Sequence, residues 1–366
     1  MNALVKIGFV LLSNSRNPIP STRIAVLNMF PFLRAARFDP HIAFEPAQNT
    51  EMPNVSGLAP KLKADGFRIV YFQKVHGDSV VTLAHELRAE GIKTVFGVCD
   101  LVDPVMVDAT DATITVTEHL KSLYPRALQA KIFTVHDGIE RPALHKTDWG
   151  QHGGSRARPL LAVLVTSAGL DRLPVLVNPP SWLNVTIVGR YPAANQRRQR
   201  LRDARWQLVG QTNPRAQLRF LRFLANPRIK RAAWDANGVY DAMLRADIGI
   251  IPIETDTSQG ALGSWQLKSE NRLTLKMGVG LPVIATPIPA YEPVVQQGRN
   301  AFLAKNQTEW LNCLSALRDP ALRRSMGQQS RLTALTEYSM ERQADKLVAV
   351  LRGLIDADAG KASDLN

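Results

Sequence analysis

Two doubly wound α/β domains are what this sequence predicts, and three observations carry the prediction. Short continuous apolar runs such as Ile7 to Leu12, Leu160 to Thr166 and Val283 to Ala285 alternate with segments of helical spacing, as strands buried on both faces of a parallel sheet do. At 366 residues the chain is long enough for two cores of ordinary size. Residues 141–159 hold Pro142, Gly150, Gly153, Gly154 and Pro159 without apolar periodicity, which marks a linker. The expected layout is an N-terminal domain over 1–140, the linker, a C-terminal domain over 160–337, and a last helix with a frayed tail over 338–366.

In the first domain, Val5 to Leu12 is the opening strand. Its apolar run is too short for a secretory leader, and no run in the chain reaches the roughly 20 apolar residues that span a bilayer. The loop Ser13 to Pro20 follows, then a helix that Ser21 can cap, with Ile24, Leu27, Met29, Phe32 and Leu33 on one face. Ligands of open α/β sheets sit at the carboxyl ends of strands, so Ser13, Asn14, Ser15, Arg16, Ser21, Thr22 and Arg23 are candidate ligand residues. Arg23, in the first turn, is the one placed for a phosphate; a solvated arginine is the other reading. Phe67 to Gln73 is the next clear strand and leads to Lys74-Val75-His76, and Lys93 to Val98 leads to Cys99-Asp100. His76 reads either as a ligand residue or as a structural histidine. Ala112 to Thr117 and Lys131 to Val135 complete the set, the latter ending at His136-Asp137-Gly138-Ile139, with helices at Val80 to Glu90 and Glu118 to Leu123.

The second domain opens with Leu160 to Thr166 and the small-residue turn Ser167-Ala168-Gly169, which lets a phosphate or sugar approach the backbone. Strands are expected at Asn184 to Gly189, at Ile229 to Ala233 before Trp234, and at Ala246 to Ile253, with a short helix at Gly238 to Arg245. Helices at Thr308 to Leu317, Pro320 to Leu335 and Tyr338 to Leu354 close the chain.

The stretch Lys268 to Val295 organises the rest. It divides into the polar loop Lys268-Ser269-Glu270-Asn271, a helix over Arg272 to Met277, a turn with Gly278 and Gly280, and a strand over Pro282 to Thr286. Leu273, Met277 and Leu281 share one apolar face. Lys268, Asn271 and Arg272 gather where a helix N-terminus presents backbone N–H groups and the positive end of its dipole, a place where anions collect.

Gly280-Leu281-Pro282-Val283-Ile284-Ala285-Thr286 resembles the donor-binding turn and strand of GT-B fold glycosyltransferases of the group 1 or family 4 type. Ala246-Asp247-Ile248 with Pro252 resembles the strand before the donor loop of that family, and Gln297 to Leu303 its later D-G-x-N-G-x-L turn. At the two positions where the family usually carries glutamates eight residues apart, this chain has Leu267 and Leu275. Its loop reads K-S-E-N-R instead, like a variant branch with K-S-x-N-R.

The resemblance implies GT-B architecture, with two Rossmann-like domains facing a cleft and the last helix returning to the first. It implies a nucleotide-diphosphate sugar as donor substrate, with no metal and no separate cofactor. Arg272 and Lys268 would stabilise the leaving diphosphate, and Asn271, Ser269, Glu270, Ser167 and Gly169 would line the donor site. Trp234 stands where the family often holds the base, or else it is a core tryptophan. Cys99-Asp100 occupies the place of a His-Asp pair on the acceptor side, which moves a general-base role to Asp100 or His76, with Ser15 and Arg23 nearby. The implied reaction is retaining transfer to a glycan or lipid-linked acceptor in bacterial-type surface polysaccharide synthesis. The leucines at the glutamate positions motivate the alternative, a protein that binds sugar nucleotide or glycan without turnover.

Composition sets the surroundings. A hydrophobic share of 45% with 21% charged residues is that of a globular protein. Cys99 and Cys313 make no metal-ligand spacing and fit a reducing cytosol. Of the net +13, most lies between Arg190 and Arg231, where twelve Arg or Lys accompany a single acid, Asp203. Such a segment attracts anions of any kind. Arginines crowd around Leu201 and alternate with Leu218, Phe220, Leu221 and Phe223, giving basic amphipathic pieces suited to an anionic membrane surface, or a solvated basic face. Few aromatics interleave with them and no nucleic-acid module is present, which argues against nucleic acid as partner. The expected location is cytoplasmic, peripheral on the inner face of the membrane.

Overall fold

A computed structural model describes residues 4–166, 178–193, 195–210, 213–255 and 263–363. They form two compact units. The first runs to Glu140 and includes Leu267–Ser269 and the segment from Tyr338; the second is Arg141–Gln266 with Glu270–Glu337.

The first unit holds β1 (Val5–Leu11), β2 (Phe38–Phe44), β3 (Ile69–Gln73), β4 (Lys93–Val98), β5 (Ala112–Thr115) and β6 (Ile132–Thr134), all parallel, in the order β2-β1-β3-β4-β5-β6. Between them lie α1 (Pro20–Ala25), α2 (Phe30–Ala35), α3 (Ala59–Ala64), α4 (Asp78–Ala89), α5 (Pro104–Ala109) and α6 (Glu118–Ser122). Successive strand residues point to opposite faces, so each face builds its own core. Val10, Phe72 and Phe96 pack with Leu62, Leu83 and Leu87 of α3 and α4 on one side. Ile7, Phe9, Leu11 and Tyr71 pack with Leu33 and, from the last helix Met340–Ser363, with Leu347 and Leu351 on the other. That helix is therefore part of the first unit's core.

Three local features differ from the sequence reading. Strand β2 was not anticipated, because Pro40 interrupts its pattern; it lies at the sheet edge, where a missing N–H is tolerated. The first helix is not capped by Ser21. It starts one residue earlier at Pro20, whose missing N–H suits the first helical position, with Ile19, which has no side-chain acceptor, as the N-cap. Its expected continuous stripe is divided by a 3-10 turn at Leu27–Met29 before α2 begins.

The second unit holds β7 (Leu160–Val165), β8 (Leu183–Gly189), β9 (Ile229–Ala233), β10 (Ile248–Ile251), β11 (Val283–Ala285) and β12 (Phe302–Leu303), parallel in the order β12-β11-β10-β7-β8-β9. Its helices are α7 (Arg197–Val209), α8 (Pro214–Ala225), α9 (Gly238–Arg245), α10 (Asn271–Val279), α11 (Gln307–Ala316) and α12 (Pro320–Tyr338). The expected linker belongs to this unit and is firmly held. Fully buried Arg323 donates to the carbonyls of Trp149, Gly150, His152, Leu317 and Arg318, and Trp149 Nε1 donates to Gly280 O at 2.7 Å. Among the described residues no helix is long and apolar enough to cross a membrane.

Candidate functional site

In the first unit, chemistry collects at the carboxyl ends of the strands. The loop after β1 is latched by a relay: Ser13 Oγ donates to Thr22 Oγ1 at 2.8 Å, and Thr22 Oγ1 donates to Gln73 Oε1 at 2.9 Å. Ser15 N donates to Glu45 Oε2 at 2.7 Å, which fixes Ser15 by its backbone. Arg23, expected to reach a phosphate, grips Glu140 with two bonds, Nε to Oε1 at 2.7 Å and Nη2 to Oε2 at 3.0 Å. A bidentate carboxylate pair of this kind is among the stronger ionic contacts.

At the end of β3, Lys74 adopts a left-handed backbone (φ 57°) and aims its ammonium between Asp100 Oδ1 at 2.7 Å and Glu51 Oε1 at 3.1 Å. Burial by itself would lower its pKa, but the Asp100 and Glu51 carboxylates that it hydrogen-bonds carry it above the usual lysine value. Burial, then the Asp100 charge, keeps the Cys99 thiol well above its ordinary range, so Cys99 is held protonated. Asp100 is thus one half of an ion pair with its side chain 43% exposed. His76 Nδ1 lies 3.7 Å from Asp103 Oδ2, and Asp103 in turn caps α5 through Met106 N. That contact gives His76 a structural tie.

Beneath these groups is a cavity of about 30 Å³ lined by Tyr71, Gln73, Lys74, Cys99, His136 and Asp137, enough for one water. Asp137, in the corner His136-Asp137-Gly138-Ile139, follows the carboxyl end of β6, and its charge acts on both Cys99 and Tyr71. Position at a strand end was the signal for it. Its Oδ2 accepts from Ser269 Oγ at 3.0 Å, so the first half of the K-S-E-N-R loop is held in this unit.

In the second unit the loop becomes α10. Glu270 precedes the helix and is buried, while Asn271 and Arg272 form its first turn, which contains no acid. The positive end of the helix dipole thus holds the Glu270 carboxylate at the N-cap and the Arg272 cation in the first turn, and negative charge is favoured at such an end. Leu273 and Met277 anchor the helix in the core, and Gly280 ends it with φ 85°, a left-handed cap. Leu281 N donates to Lys276 O at 3.1 Å, and the chain turns directly into β11 beside β10.

Lys276 and Tyr291 were not singled out from the sequence. Lys276 is fully buried, and Gly249 makes room for it, since a Cβ at that glycine would lie 2.9 Å from the lysine Cδ. Burial first, and then Arg272, brings its pKa down to about 7. The buried Tyr291 hydroxyl has no hydrogen-bond partner among the described residues, and both Arg272 and Glu270 act on it electrostatically. Neither residue carries a periodicity signal that separates it from ordinary core.

Trp234 follows β9 and is 41% exposed, so it is not a core tryptophan. Leu267 and Leu275 are half-buried. Ser167 and Gly169 lie outside the described residues.

No family model and no curated protein sequence matches the chain. Solved structures do. HepE of Anabaena in complex with UDP and glucose is 14% identical, with a TM-score of 0.66 over 95% of this chain and 99% of that one. A glycosyltransferase from Rickettsia africae is 11% identical, with a TM-score of 0.68 over 97% and 99%. Sucrose-phosphate synthase from Thermosynechococcus elongatus is 12% identical, with a TM-score of 0.64 over 96% and 100%. The shared feature is the fold: two parallel six-stranded α/β sheets in one chain, the GT-B fold of these glycosyltransferases.

Proposed function

We propose that this chain is a glycosyltransferase that moves a hexosyl group from a nucleotide-diphosphate sugar to a glycan or lipid-linked acceptor. The observation that carries the reading is the start of α10, where Asn271 and Arg272 sit at the positive end of a nine-residue helix. It is supported by a fold shared with HepE, whose solved structure holds UDP and glucose. As the glycosidic bond breaks, negative charge grows on the β-phosphate, and a fixed cation at a helix N-terminus opposes it most in the transition state. Lys268, four residues earlier, supplies a second cation, and Ser269, Glu270 and Asn271 orient the donor. In this reading cations take the place of a metal, and the nucleotide sugar is a substrate rather than a cofactor. Asp100 and Asp137 stand at strand ends of the first unit for the acceptor. Retention at the anomeric carbon, a role in bacterial-type surface polysaccharide synthesis and a cytoplasmic, membrane-peripheral location complete the proposal and rest on the sequence resemblance.

A second reading has its own observation. Leu267 and Leu275 offer no hydrogen bond to ribose or sugar, which suits a protein that holds its ligand without turnover. Thermal-shift screening against nucleoside diphosphates and nucleotide sugars, followed by acceptor assays, tests both. The transferase reading expects stabilisation by one nucleotide series, lost in Arg272→Ala, and nucleoside diphosphate released in proportion to glycosylated acceptor. Stabilisation without release establishes the binder; no stabilisation by any nucleotide removes the donor site from α10.

A further inference from the structure

Helix α7 buries none of its residues. Its half-buried positions Arg200, Asp203, Ala204, Gln207 and Leu208 repeat at helical spacing and form the inner side. At about 100° per residue, Leu201, Arg205, Arg198, Val209, Arg202 and Trp206 follow one another around roughly 140° of the outer side. There Leu201, Trp206 and Val209 are 72%, 80% and 72% exposed. Three large apolar side chains are thus interspersed with three arginines on one solvent-facing surface. Helix α8 packs against α7 and repeats the pattern: Phe220 and Phe223 are buried, while Leu218 and Leu221 stand exposed among Arg215, Arg219 and Arg222.

A merely solvated basic face has no use for exposed leucine, valine and tryptophan. A nucleic acid pairs with the arginines and stacks on Trp206, but leaves Leu201 and Val209 without an apolar partner. A bilayer surface satisfies both sets, because headgroup phosphates meet the guanidinium groups while the apolar side chains enter the boundary with the acyl chains. We propose that the outer side of α7, with that of α8, is a docking face for a bilayer carrying anionic headgroups. The inference deepens the membrane-peripheral part of the proposed function and is independent of sugar transfer, since none of these residues is placed at the donor loop.

The test is co-sedimentation of the full chain with vesicles of phosphatidylcholine, with and without phosphatidylglycerol. The protein is expected to bind the anionic vesicles only. Leu201→Ser, Trp206→Ser and Val209→Ser combined keep every arginine and are expected to weaken binding about tenfold or more, with an unchanged melting temperature. Trp206→Phe is expected to retain binding yet lose the part of the tryptophan fluorescence quenched by brominated acyl chains, a readout that stands even if the triple variant fails to fold. Absence of binding to anionic vesicles, wild-type binding by the folded triple variant, unchanged quenching in Trp206→Phe, or RNA displacing the protein from vesicles each overturns the proposal.

Discussion

Lys276 Nζ donates to the backbone carbonyl of Arg272 at 3.2 Å, one helical turn away, and no carboxylate among the described residues faces it. A buried amine so placed is held against its preferred ionisation. The folded state gives up its proton at about pH 7, whereas the unfolded chain holds it to about 10.5. Between those values the unfolded state binds more protons, so this group makes stability rise with pH, and its burial penalty is full below about pH 7. Lys276→Met is expected to raise the stability most in acid-neutral buffer, by at most about 5 kcal/mol, and hardly at all in strong alkali. Melting curves across pH check it; a difference that does not change with pH shows that the amine is not the source.

Arg323 satisfies five carbonyls from the fully buried position that ties residues 149–152 to the start of α12. Lysine has three donors and cannot reproduce that fork. Arg323→Lys is expected to destabilise the second unit by about 2–4 kcal/mol and Arg323→Met by about 3–5. Urea unfolding monitored separately for each unit measures this, and equal midpoints for Lys, Met and wild type would contradict it.

Gly280 combines φ 85° with room for a methyl group, an added Cβ meeting Gly327 O and Trp149 at an ordinary contact distance of 3.6 Å. The expected penalty of Gly280→Ala is therefore conformational, about 1–2 kcal/mol. Gly280→Asn, which tolerates the left-handed region better, is expected to lose less. A larger loss for asparagine than for alanine would point to a packing clash instead.

Asp100 and Asp137 differ in setting. The first is paired with Lys74 and partly exposed, while the second lines the cavity and accepts from Ser269. Asp137→Asn is expected to lower kcat about a hundredfold or more, and Asp100→Asn less than about tenfold. Steady-state kinetics with a working acceptor decide between them, and the reverse order assigns the acceptor role to Asp100.

The alternation of strands and helices was legible because apolar periodicity and turn chemistry are local: Val283-Ile284-Ala285 reads as a buried strand, and Gly280 as a turn, wherever they stand. Strand β2 escaped because Pro40 is acceptable only at an edge, and which strand is the edge is a property of the whole sheet. The donor loop was found from its residues, whereas Asp137 was passed over because its partner Ser269 lies far along the chain.

By itself the sequence determined two parallel α/β units, a helix following the polar loop Lys268 to Asn271, and the concentration of arginine between positions 190 and 231. Tertiary structure alone decided that Lys276 is buried against Gly249, that Arg323 binds five carbonyls, and that Leu201, Trp206 and Val209 share a surface with arginines. The reason is physical. Local pattern reports which residues prefer to be inside, but burial of a charge and exposure of an apolar side chain are set by what the rest of the chain packs around them.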